Sequence, residues 1–304
     1  MNRIKPYLQL VRLPNLFTAA ADSLAGWLIV RGSLSEPARW VPLVLASVAI
    51  YAAGIVLNDV FDYEVDLRER PNRPLPSGRV SRRFAAWLGG IALAMGPVLA
   101  GLSGSTASLV VSLALAACVL AYDAGLKRTV LGPEAMGACR GLNLMLGLSQ
   151  GPQMGGPAAW LVASGLGLFI VGVTWISRSE VETGKTQGLV AGLVLQAGAI
   201  LTLLVACSRS EWFRTIDSAS SSVDFRISGP VVLLAIGLVV GRAGLRAYRR
   251  PVPETFQAAV KTGVLSLVWL DVGVVASVRG PATALVVAAL WVPAFWLGRW
   301  LYST

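Results

Sequence analysis

Residues 40–66 read WVPLVLASVAIYAAGIVLNDVFDYEVD. From Trp40 to Leu57 the chain carries no charge, close to the roughly 20 residues that take a helix across about 30 Å of hydrocarbon. The run then ends on Asn58 and Asp59, followed by Asp62, Glu64 and Asp66. A spanning helix that surfaces in a row of hard oxygen ligands is therefore the element from which the rest is read.

Outward from it, similar apolar stretches fall at about 14–31, 84–103, 105–123, 133–150, 158–177, 187–207, 229–247, 257–277 and 281–301, making about ten with the first. The last two are the least regular, because Asp271, Arg279 and Pro281 interrupt them. Consecutive apolar positions such as Ile91–Leu102 suit helices and not the alternation of a barrel. The 304 residues are 55% hydrophobic and 14% charged, with mean hydropathy +0.66. A soluble domain carries about a quarter of its residues as charges. The loops leave no room for a soluble domain, so residues 1–304 read as one all-α, polytopic integral-membrane domain. Asp22 and the Pro14-Asn15 opening argue for a retained first helix over a cleaved signal peptide.

Absences limit the chemistry. With no histidine, imidazole cannot serve as ligand or base. Cys118, Cys139 and Cys207 lack CxxC spacing and read as small hydrophobes. The net charge of +10 reports topology or polyanionic ligands around membrane spans, not nucleic acid. With the N-terminus on the inner side, six of the 26 basic residues lie outside (Arg31, Arg39, Arg209, Arg214, Arg226, Arg279) and the other twenty inside. This predicts a multi-pass inner or plasma membrane protein of bacterial type, with the polar segments 58–83, 122–128 and 177–187 together on the cytoplasmic face, as the rim of a pocket.

Asn58, Asp62 and Asp66 are spaced i, i+4, i+8, which places an amide and two carboxylates on one helix face, with Asp59 one step round. Like charges at that spacing repel. A hard cation such as Mg²⁺, sharing its oxygens with substrate phosphates, would reward the arrangement; a solvated acidic helix end is the alternative. The following loop, Leu67 to Arg79, is rich in proline and arginine. Guanidinium groups match phosphate oxygens in pairs, and Arg70 and Arg73 are the candidates, although inner-face topology alone accounts for several arginines here.

The stretch NDVFDYEVDLRERPNRPLPSGRVS, residues 58–81, resembles the first signature of the UbiA superfamily of intramembrane prenyltransferases: NDxxDxxxD, an arginine, then RPLPSG. Weaker likeness extends to Arg12-Leu13-Pro14-Asn15, to Tyr122…Lys127-Arg128 and to Phe256–Ala259. The resemblance implies a bundle of nine to ten helices around a central cavity open to lipid. It also implies Mg²⁺-dependent transfer of a polyprenyl group from polyprenyl diphosphate to a hydrophobic, commonly aromatic, acceptor within membrane lipid. On that basis Asn58, Asp62 and Asp66 hold Mg²⁺ with Asp59 in support, while Arg70, Arg73 and Lys127 contact the diphosphate. Asp62, Asp66, Lys127 and Tyr122 form the catalytic set, Tyr122 steadying the allylic cation through its ring. Its interval to Lys127 is one residue longer than in many members.

The second signature departs from the family. Where two aspartates are expected before a glycine, this chain has SRSEVETG, residues 177–184, a form that resembles the divergent EboC-type branch. Glu180 takes the expected ligand position, yet an Arg178–Glu182 pair at i, i+4 also accounts for this segment. Degeneracy here motivates the rival expectation, a non-catalytic prenyl-diphosphate or lipid binding or transport protein on the same scaffold. Asn15 and Asp22 are candidates to face the acceptor or to pack, and mid-span Asp271 needs a partner, for which Arg140, one turn before Asn143, is the candidate.

Overall fold

The computed structural model describes residues 4–179, 186–208 and 225–302, and among these the chain is helical without a strand. A short α1 (Lys5–Leu10) leads into α2 (Leu13–Arg31), α3 (Pro37–Phe61), α4 (Tyr63–Glu69), α5 (Arg82–Leu102), α6 (Thr106–Ala124) and α7 (Gly132–Leu148). Then follow α8 (Gly156–Ser179), α9 (Gln187–Cys207), α10 (Phe225–Arg249), α11 (Pro253–Arg279), α12 (Pro281–Ala288) and α13 (Trp291–Tyr302). Among the described residues nine segments are long and apolar enough to cross a membrane: α2, α3, α5, α6, α8 to α11, and α12 with α13 taken together. The tenth expected span is α7, with 17 residues and both Arg140 and Asn143 inside it. The chain is an integral membrane helical bundle, as its composition requires.

Local chemistry sets the helix ends. Proline occupies the first turn of α2, α3, α7, α11 and α12, where its missing N–H costs nothing. Ser81 and Ser105 cap α5 and α6 by accepting from the N–H of Phe84 and Ser108. Asp271 and Arg279 do not break α11, which runs unbroken through both; the break falls at Gly280, where φ is +88°. The last span is the irregular one, divided into α12 and α13.

Helices α2, α8 and α11 form the inside of the bundle, whereas α5, α10 and the α12–α13 pair keep most of their surface outward. Exposed side chains such as Trp87, Ile91 and Val98 on α5 and Val231, Leu234 and Leu238 on α10 are the hydrocarbon-facing side. At the centre, α7 packs on α2, α6 and α8. Small residues permit this. A Cβ added to Gly26 would fall 2.8 Å from the backbone N of Leu148, and one on Gly137 would fall 2.6 Å from the carbonyl of Gly167. Without a hydrophobic drive between helices in lipid, such close backbone approach is what holds them together. It also fixes Arg140 and Asn143, which lie on α7 between these two contacts.

Candidate active site

The expected single helix face is not continuous. α3 ends at Phe61, the chain turns at Asp62 (φ −89°, ψ 7°) and α4 begins at Tyr63. The backbone ladder carries through this kink, Asp62 N–H donating to the Asn58 carbonyl and Asp66 N–H to the Asp62 carbonyl, and the three side chains have different partners. Asn58 Nδ2 donates to Asp123 Oδ1 on α6 at 3.0 Å. Asp62 accepts from Lys127 Nζ at 2.7 Å and from Arg128 at 3.3 Å, both on the turn after α6. Asp66, buried, accepts from Arg73 at 2.6 Å. Arg73 also reaches Asp59 at 3.3 Å, and Asp59 takes a second guanidinium, that of Arg12, at 3.2 Å. Arg70 stands 3.8 Å from Asp66 and is mostly exposed.

The loop after α4 is folded to aim Arg73 inward. Ser77 Oγ donates to the Arg73 carbonyl at 2.7 Å, Arg79 Nη2 donates to the Asn72 carbonyl at 2.5 Å, and Gly78 supplies the left-handed turn with φ +72°. Across the site, Arg178 at the end of α8 donates to the carbonyls of Lys127 and Thr129 at 2.7 and 2.9 Å. Three polar segments distant in sequence thus meet at one end of the bundle, as the charge distribution requires.

Beneath this layer lies a cavity of about 370 Å³ between α2, α3, α6, α7, α8 and α11, with Tyr51, Tyr122 and Ser177 in its wall. A polar basin of about 780 Å³ sits outside it, bordered by Asp59, Arg73 and Arg79. Arg12 and Asn15 border both, so the basin and the cavity adjoin at these two residues. The site therefore sets an anion-matching rim beside a hollow whose walls are largely apolar.

The comparisons with known proteins decide what this is. Residues 19–208 match the UbiA prenyltransferase family. The chain belongs to that family. A digeranylgeranylglyceryl phosphate synthase of Metallosphaera sedula is 32% identical over 145 residues, 47% of this chain and 51% of the relative. One from Methanopyrus kandleri is 36% identical over 163 residues, 52% of this chain and 57% of the relative. The chain spans about half the length of the curated relatives it matches. Solved structures extend the likeness of fold. A UbiA homolog from Aeropyrum pernix K1 superposes with TM-score 0.65 at 19% identity, covering 86% of this chain and 96% of that one. A digeranylgeranylglyceryl phosphate synthase structure gives 0.63 at 20% identity, covering 92% and 99%.

Of the residues singled out from sequence, Asn58, Asp59, Asp62, Asp66, Arg70, Arg73 and Lys127 lie in the one UbiA-family polar layer, with Tyr122 in the cavity wall below. Glu180 and Glu182 fall outside the described residues, and Arg178 has backbone carbonyls as partners. Among the described residues no three acidic, cysteine or histidine side chains gather closely enough to hold a metal by themselves. Asp123 was passed over. Its Oδ2 is buried without a donor while Oδ1 takes the Asn58 amide. An ionisable residue in the last turn of a spanning helix was the available signal, hidden beside the more conspicuous Tyr122 and Lys127.

Proposed function

We propose that this UbiA-family protein transfers a polyprenyl group from polyprenyl diphosphate to an acceptor seated in the cavity. The observation that carries the reading is the adjacency of the two spaces: a polar basin bordered by Arg12, Arg73 and Arg79 adjoins, at Arg12 and Asn15, a hollow lined mainly by apolar groups. A diphosphate ester of a long hydrocarbon is a molecule with those two ends. The relatives it resembles over about half their length are named digeranylgeranylglyceryl phosphate synthases.

The oxygen donors suit Mg²⁺. Asn58, Asp62, Asp66 and Asp123 are hard ligands, and the unanswered Asp123 Oδ2 leaves one buried acceptor to be met by a cation. Mg²⁺ is commonly held by one or two carboxylates together with substrate phosphates, so the absence of a three-acid cluster among the described residues does not count against it. When bound, the ion offsets charge on the departing diphosphate.

The chain's own groups do the rest. Arg73 and Lys127, now neutralising Asp66, Asp59 and Asp62, are poised to turn toward diphosphate oxygens as charge grows on them, which lowers the barrier to C–O ionisation. The Tyr122 ring stands in the cavity wall, where its face can steady an allylic cation. The largely apolar walls disfavour water beside that cation until the acceptor attacks. The orientation that places this rim on the cytoplasmic side belongs to the same proposal and follows from the basic-residue bias.

Incubation of the purified protein with Mg²⁺, labelled polyprenyl diphosphate and a membrane extract tests it. Release of inorganic diphosphate with label moving into a lipid-soluble product is the expected result. Tight Mg²⁺-dependent binding without release would instead support the non-catalytic carrier, the reading favoured by the SRSEVETG second motif.

A further inference from the structure

The deep end of the cavity holds a second group of charges that the transfer reading does not use. Arg140 on α7 is paired with Asp22 on α2 at 2.6 Å. Asp22 also accepts from Asn143 Nδ2 at 2.9 Å, and Ser47 on α3 donates to Asn143 Oδ1 at 2.6 Å. Asp271 on α11 faces the Asp22 carboxyl, and its oxygens meet no N–H or O–H donor. Arg140 is 6% exposed and Asp22, Ser47 and Asp271 no more than 1%. Ser47, Arg140 and Asn143 line the cavity, with the two acids behind them.

Two features of this floor decide what it can hold. One guanidinium stands against two carboxyls, so the cluster's charge is zero if a proton bridges Asp22 and Asp271 and minus one if none does. In neither case is it positive. Among the described lining residues the other charged group is Arg12, at the mouth and already paired with Asp59. Second, the floor has hydrogen-bonding capacity left over. The Arg140 Nε–H is buried without an acceptor, and the oxygens of Asn143 and Ser47 keep unused lone pairs. A polyprenyl chain leaves that capacity unused, whereas an oxygen-bearing group can engage it.

We propose that this floor selects the acceptor: the group that enters the deep cavity is a neutral, hydroxyl-bearing head, which both gives and takes hydrogen bonds, and not an anionic one. The inference rests on the transfer reading and names its acceptor class. It sets this chain apart from an acceptor whose phosphate would enter the cavity, since a phosphate placed at the floor would meet a surplus of acid. Asp271, which does not line the cavity, is a positioning residue that sets the floor's charge through Asp22 and Arg140.

The test measures thermal stabilisation of the full chain in nanodiscs by two lipids that differ by one phosphate group, 1-monooleoylglycerol and 1-oleoyl-lysophosphatidic acid. The neutral lipid is expected to bind at least about tenfold tighter. Asp271→Asn, which removes one acid without opening the cavity, should narrow that preference by about tenfold, a change that a merely structural role would not direct toward one lipid. Equal or tighter binding of the phosphate lipid, or an Asp271→Asn variant that folds and keeps the wild-type preference, overturns the proposal. Protection by geranylgeranyl diphosphate with Mg²⁺ is a separate arm. Its loss with the neutral preference intact would sink the transfer reading and leave the floor's selectivity standing; its presence with no neutral preference would do the reverse.

Discussion

Two charged clusters, one at the bundle's rim and one at its floor, use the same residue types under opposite constraints. At the rim, Asp59, Asp62 and Asp66 face arginines and a lysine on long flexible stems that can turn to another anion. At the floor, Asp22, Arg140 and Asp271 are sealed between helices, and the guanidinium is fixed by Thr18 and Asp22. The rim is built to exchange partners and the floor to keep them. A cation on a long stem beside a basin can turn to a new anion, whereas an uncompensated charge sealed in the interior costs several kcal/mol.

The sharpest way to break that contrast is Arg140→Met. It leaves both acids without their cation and should lower stability by about 3–5 kcal/mol, read as a fall in the thermal midpoint in detergent micelles. A midpoint close to wild type would mean that the floor is hydrated and as pliable as the rim.

At the rim the expected loss is in catalysis. Asp66→Ala should reduce prenyl transfer by about 10²–10³-fold, the scale of removing one preorganised electrostatic group, with the thermal midpoint little changed, because Arg73 still has Asp59. Diphosphate release under single-turnover conditions measures it. Unimpaired turnover would move the reaction away from this carboxylate row.

Arg178 links the two behaviours, being a charge used as a brace. Its guanidinium spans the carbonyls of Lys127 and Thr129, which holds the turn that carries Lys127. Arg178→Ala should cost about tenfold in kcat/KM, since small misplacements of a positioning group are enough for that. Arg178→Lys should restore only part of it, because both carbonyls accept from the one Nη2 and the shorter lysine stem sets its ammonium back from that point. Full recovery by lysine would show that only positive charge matters at this position.

The rim was legible in the sequence because its residues are local: Asn58 to Arg73 sit in one 16-residue stretch, and the apolar run before them announces where they surface. What the spacing could not reveal is the turn at Asp62, since no proline or glycine marks it and the i, i+4, i+8 pattern fits a continuous helix equally well. The floor was legible only as isolated anomalies. Asp22, Arg140 and Asp271 each violate a membrane span, and a pairing of Arg140 with Asp271 was the natural expectation; the structure gives Arg140 to Asp22 and sets Asp271 behind it. Which helices abut depends on Gly26, Gly137, Gly147 and Gly167 meeting backbone to backbone, a tertiary fact with no local motif. Asp123 carried only the signal of its place in the last turn of a span, and its partner Asn58 comes from another helix.

The smallest expected effect separates two arginines that the sequence ranks together. Arg73 is about three-quarters buried and joins Asp59 to Asp66, whereas Arg70 stands 57% exposed at 3.8 Å from Asp66. With its guanidinium largely in solvent, so loose a contact contributes about 0–1 kcal/mol and is screened by salt. Arg70→Ala should therefore raise the KM for polyprenyl diphosphate by no more than about fivefold, leave kcat unchanged, and lose even that difference at high ionic strength. Arg73→Ala should lower kcat and persist in salt. Equal defects in the two variants would mean that the loop after α4 refolds around the donor and brings Arg70 inside, in which case the rim's partner exchange involves the backbone as well as side chains.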